Sequence, residues 1–153
     1  MLKLKVPPPV WFLFCAALMW WIGRVLPVHF PNYQHPIIFI LGALIAVIGL
    51  VIAISAVVTM RKAETTSSPF QPQNTFQIVD WGIYRKSRNP MYLSLLLGLI
   101  AWALWLGSIF AWFVLPLFIG LITHFQIKPE EQILTQKFGQ RYLDYASRVR
   151  RWL

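Results

Sequence analysis

Two acids stand side by side at Glu130-Glu131, directly after Lys128-Pro129, in a chain that holds only five acids among 153 residues. Upstream, RKSRNPMYL (85–93) sets three basic residues ahead of Asn89-Pro90 and then enters an apolar run. Asn is a favoured helix N-cap, and Pro suits the first helical position because its missing N–H would be unpaired there anyway. A helix beginning at Pro90 presents free N–H groups and partial positive charge, backed by Arg85, Lys86 and Arg88, which is a setting for a carboxylate or phosphate. Pro129 suits a second helix start, and acids in a first turn complement the dipole. One Glu beside the first helix start can take an ammonium while that start takes a carboxylate, so the pair suits an amino-acid zwitterion. Each stretch also has a plain structural reading, as helix caps and membrane-boundary anchors. Glu131 and His124 are candidate bases. His29 and His35 fall on the other side of the chain's apolar segments, where interfacial roles suffice.

The elements that must position these residues are apolar. Hydrophobic residues make up 58% of the chain and charged residues 12%, against about a quarter charged in an ordinary soluble domain. Residues 37–60 carry no charge at all, and about 20 apolar residues cross a bilayer core as a helix. The expected fold is therefore all-α: a polytopic membrane protein with about four transmembrane helices near 9–27, 36–60, 91–106 and 109–127. The first carries Arg24 near its end, where a long side chain can snorkel to the headgroups. Although Lys3 and Lys5 precede it, no small-residue cleavage site follows, so it reads as a retained span. The third is short, about 24 Å as a helix. Gly107-Ser108 is the break that makes spans three and four a tight hairpin, and Pro116 is expected to kink the fourth. The lone Cys15 excludes an internal disulfide and any zinc spacing, and no metal is expected.

An even number of spans puts all of the 14 Lys and Arg except Arg24 on one side, which the positive-inside rule makes the cytoplasm. Both termini are then cytoplasmic. The polar material on that face is a loop, 61–90, and a C-terminal segment, 128–153. Phe138, Tyr142, Tyr145, Val149 and Trp152 recur at helical spacing and predict one amphipathic interfacial helix, which either rests on anionic lipid or also closes a pocket against the loop. The net charge of +9 lies along membrane boundaries, so anionic lipids rather than nucleic acid are the expected partners.

GIYRKSRNPMYLSLLLG (82–98) followed by EEQILTQKFGQRYLDY (130–145) resembles the isoprenylcysteine carboxyl methyltransferase family and the wider group of phospholipid methyltransferases. The shared features are G-x-Y, R-[HN]-P-x-Y opening a helix, E-E-x-x-L and F-G-x-x-Y-x-x-Y, in that order. The likeness covers about residues 61–153, a methyltransferase-like core, with 1–60 forming two N-terminal spans. It implies an S-adenosylmethionine-dependent enzyme that methylates a lipophilic, membrane-embedded acceptor at the cytoplasmic face. Carried over, the cofactor-binding positions are Phe76, Gln77, Ile78, Val79, Tyr84, Arg88, Asn89, Pro90, Met91, Tyr92 and Glu130. Glu131 and Asn89 take the catalytic positions, and Gln126 the substrate position. Two departures stand out: Asn89 replaces the common His and cannot act as acid or base, and Gln126 replaces the Arg of prenylcysteine-specific enzymes, a weaker partner for a carboxylate. The chain has no G-x-G of the soluble dinucleotide-binding kind. Two other readings remain: a sterol-reductase-like enzyme using reduced nicotinamide, and a non-catalytic membrane module that binds lipid or a partner protein. The acceptor atom and the oligomeric state are not encoded in any motif.

Overall fold

A computed structural model describes residues 6–63 and 77–153 of the chain. Helices α1 (Pro8–Val25), α2 (Pro36–Lys62) and α3 (Pro90–Leu106) each open on a proline, whose fixed φ suits the first turn and whose missing N–H costs nothing there. After α3 come a 3-10 turn (Phe110–Phe113), α4 (Val114–Ile122), a π-helical turn (Thr123–Ile127) and α5 (Lys128–Phe138). Helix α6 (Gln140–Arg148) follows. Among the described residues there is no strand, only a bridge between His29 and Ser108.

Three helical stretches, Pro8–Val25, Pro36–Lys62 and Phe110–Phe138, are long and apolar enough to cross a membrane, and α3 is a shorter apolar helix of 17 residues. The expected count of four spans thus rests on α3, at about 25 Å. Helix α3 packs against α1, α2 and α4, and Cys15, Met19, Leu99, Ala103, Phe118 and Ile122 form the core between them. Leu13, Phe14, Ile37, Phe39, Ile40 and Leu44 point outward, as side chains do when the solvent is lipid. This is a multi-pass membrane protein.

Residues of α2 buried inside the protein are Gly42, Gly49, Ala56 and Thr59. The first three recur every seven residues and so lie on one stripe. A β-carbon at Gly42 would collide with the Trp105 indole, and one at Gly49 would press on Ser94 and Leu97. The stripe lets α3 approach closely, as small residues do between membrane helices.

At one end of the bundle, Gly107 caps α3 with φ 67°, a conformation glycine adopts freely. Phe30 N–H donates to the Gly107 carbonyl at 3.0 Å, and Ile109 N–H donates to Val28 at 3.0 Å. The tight hairpin expected at Gly107-Ser108 is therefore stitched to the 28–35 loop. At the other end, Gln126 Nε2 donates to the Val6 carbonyl at 2.6 Å and Gln77 Nε2 to Ala63 at 2.5 Å. Gly82 (φ 61°) sits against Thr59. The starts of α1, α3 and α5 and the end of α2 thus share the basic end.

Two expectations need correction. No helix break separates span four from the segment at 128: the chain stays helical from Phe110 to Phe138. Pro129 cannot donate to the carbonyl four residues back, and the π turn takes up the mismatch, with Lys128 N–H donating to Thr123 five residues back. The single stripe of 138–152 is also broken. Gly139 (φ 54°, ψ −129°) ends α5, and Val149 leaves α6 in an extended conformation, so 149–153 runs back across the bundle end. Pro116 lies in the first turn of α4 after the 3-10 turn, where its missing N–H coincides with a change of helix type.

Candidate functional site

The corner 87–89 leads into α3, with Asn89 at the N-cap position. Its side chain makes no cap bond; Nδ2 donates instead to the Arg151 carbonyl at 3.0 Å. Ser87 Oγ donates to the same carbonyl at 3.3 Å and accepts from Asn89 N–H at 3.1 Å. Arg88 N–H donates to the Arg150 carbonyl at 2.9 Å. The corner is therefore held by the extended segment that follows α6.

The guanidinium of Arg88 reaches the other way. Its Nη1 lies 3.1 Å from Glu131 Oε1 and 3.4 Å from Tyr142 Oη, while its Nε is buried without a partner among the described residues. Glu131 is also gripped by Arg151, with Nε to Oε1 and Nη2 to Oε2 both at 2.8 Å. Such paired, parallel bonds are the strong, directional form of carboxylate–guanidinium contact. One turn along, Tyr92 Oη donates to Glu130 Oε1, joining motif residues 38 positions apart across α3 and α5.

Tyr84 closes the inner side. It is buried, and its carbonyl accepts from Tyr145 Oη at 2.8 Å. Burial, then the nearby Glu130 charge, pushes the Tyr84 phenol above its ordinary range. Burial likewise raises Tyr142 and Tyr145, so all three phenols stay neutral at neutral pH. Val79, Tyr84, Ala56 and Ala63 form a small apolar cluster with Met91 packed on it.

Of the residues singled out from sequence, Val79, Tyr84, Arg88, Asn89, Pro90, Met91, Tyr92, Glu130 and Glu131 are brought to this one end. Gln77 sits at its edge, exposed, and Ile78 is half-buried. Phe76 lies outside the described residues. Gln126 is fully buried on the bundle side, its Nε2 donating to the Val6 carbonyl and its Oε1 without a partner among the described residues. His124 is exposed and stands edge-on to Phe125. An open cleft of about 460 Å³ runs beside Glu131, lined by Lys128, Gln132, Thr135, Gln136 and Arg151. Arg151 and Ser87 were not foreseen as site residues. No local pattern marks them, because their partners lie 20 and 64 residues away. Among the described residues no cluster of His, Cys, Asp and Glu converges to hold a metal ion.

Fold and site together define a helical membrane protein whose polar residues gather at the end where its basic segments meet. Residues 37–141 match the phospholipid methyltransferase family, and the chain belongs to that family. An uncharacterized protein of Haemophilus influenzae is 56% identical over 63 residues, 41% of this chain and the whole of that protein. Protein-S-isoprenylcysteine O-methyltransferase B of Arabidopsis thaliana is 25% identical over 123 residues, 80% of this chain and 62% of that protein. A probable protein-S-isoprenylcysteine O-methyltransferase of Oryza sativa subsp. indica is 28% identical over 108 residues, 71% of this chain and 56% of that protein. The chain thus spans roughly three-fifths of the length of the plant relatives. No solved structure matches.

Proposed function

We propose that the protein is an S-adenosylmethionine-dependent methyltransferase acting on a lipophilic acceptor at the cytoplasmic membrane face, with α3 as a fourth span. The observation that carries this reading is the joining of the 84–92 and 130–131 motifs through Tyr92 and Glu130 at one end of the bundle. The residues fit an amino-acid zwitterion. Arg88 Nε is a buried donor with no partner among the described residues and suits a carboxylate, while Glu130 suits an ammonium, and Val79, Tyr84 and Met91 offer an apolar wall. When bound, the cofactor supplies an activated methyl group on a sulfonium.

The chain's own residues hold it and exclude water, because proximity and alignment carry most of such a transfer. Glu131 is taken up by two guanidiniums and Asn89 by the Arg151 carbonyl, so both act by fixing the corner. Gln126 gives one N–H to the Val6 carbonyl, and its buried Oε1 is an acceptor with no partner among the described residues. A neutral amide with an open acceptor oxygen suits an acceptor molecule carrying O–H or N–H, and holds a carboxylate less strongly than a guanidinium would. Gln77 borders the cradle from the loop side, the family resemblance counts Phe76 with it among the cofactor-binding positions, and anionic lipids hold the basic boundary. The plant relatives are named as protein-S-isoprenylcysteine O-methyltransferases, and O-methylation of a lipidated acceptor is chemistry of the same kind. Transfer of a labelled methyl group from S-adenosylmethionine into the organic phase, by purified protein in lipid nanodiscs, tests the proposal. Absence of transfer across amine, hydroxyl and carboxylate lipids would count against it.

A further inference from the structure

We propose that Arg151 is a positioning residue: it latches the 149–153 segment over the entrance of α3 and thereby fixes the orientation of Arg88. Three features converge on it. Its guanidinium grips Glu131 through two bonds of 2.8 Å. Its carbonyl accepts from Ser87 Oγ and Asn89 Nδ2, and the carbonyl before it accepts from Arg88 N–H. Trp152 then packs on the core formed by α1, α3 and α4. One short extended segment thus holds both the backbone of the corner and, through Glu131, the side chain of Arg88.

The arrangement is mechanically economical. Glu131 sits between two cations, so its position depends on both. Releasing Arg151 leaves Glu131 tied to Arg88 alone and frees the segment whose carbonyls satisfy the corner. Buried donors left without acceptors favour local opening. The direction in which Arg88 Nε points therefore depends on a residue 63 positions away that does not itself touch that nitrogen. Lysine cannot replace the paired bonds, because an ammonium is a single point of charge. The functional consequence rests on the reading of this corner as the cofactor cradle; the latch itself does not.

The full-length protein in detergent, as wild type, Arg151→Ala and Arg151→Lys, is compared by hydrogen exchange and by titration with S-adenosylmethionine. Arg151→Ala exchanges the Arg88 amide about tenfold faster or more, with α1 and α2 protected as before. Its Kd rises about tenfold through loss of the paired charged contact, and Arg151→Lys falls between. Wild-type exchange at Arg88 in Arg151→Ala would overturn the latch. Faster exchange with an unchanged Kd would overturn the positioning of Arg88. If Arg151→Ala does not fold, Glu131→Gln removes the same pair from the other side and must speed exchange at Arg88; normal protection there overturns the proposal. Faster exchange in a protein whose wild type binds no S-adenosylmethionine upholds the latch and removes the cradle reading instead.

Discussion

Replacing Glu130 by Gln separates charge from shape at the centre of the site. The amide keeps the volume of the carboxyl group and an Oε1 that still accepts from Tyr92 Oη, so the fold should hold to within about 1 kcal/mol. What disappears is the negative charge proposed to meet an ammonium in a half-buried setting. A hydrogen bond to a charged group contributes about 1.5–3 kcal/mol, and each 1.4 kcal/mol or so is a factor of ten in Kd. The variant should therefore bind S-adenosylmethionine about 10- to 150-fold more weakly. Calorimetric titration in detergent reads the affinity, and a thermal melt on the same sample checks the fold. An unchanged Kd in a folded variant would refute the role of Glu130. A melt lowered by many degrees would instead recast Glu130 as a structural partner of Tyr92.

Other expectations follow from separate parts of the molecule. Gly42→Leu should lower the melting midpoint, because its side chain meets the Trp105 indole and overpacking costs about 1–3 kcal/mol; a midpoint equal to wild type would show that the α2–α3 seam tolerates bulk. Gln126→Arg should shift competition between lipid acceptors toward carboxylates, since a guanidinium pairs with them more strongly than a neutral amide does. An unaltered product ratio would place Gln126 outside the acceptor site. For orientation, cysteines at residue 153 and in the 28–35 loop should react with an impermeant thiol reagent from opposite membrane faces, the former from the cytoplasm. Labelling of both from one side would remove the even count of spans.

The spans were legible because lipid demands long apolar runs, and 37–60 or 109–127 fit no other use. The start of α3 was legible because Asn89-Pro90 has only a few places to sit, and Gly107 marked its end. The close α2–α3 seam had a readable signal too, in Gly42, Gly49 and Ala56 at intervals of seven. Less accessible was the route after α5. The aromatic spacing of 138–152 reads as one helix, but the single residue Gly139 ends it, and the extended return of 149–153 depends on contacts made across the fold. Helical continuity through Pro129 was hidden for a related reason: proline at a first turn and proline behind a π turn look alike in sequence. The fate of charged side chains was hidden most of all. Arg88 and Glu131 read as ligand groups in isolation, and only their proximity in space reveals that they hold each other.

The central claim, that this end of the bundle is a cradle for S-adenosylmethionine, is tested most directly by titrating the purified wild-type protein with that molecule and, in parallel, with a reduced nicotinamide cofactor. Saturable binding of S-adenosylmethionine alone is the result expected of the site described. Binding of the nicotinamide alone, or of neither by a folded protein supplied with lipid, would contradict it.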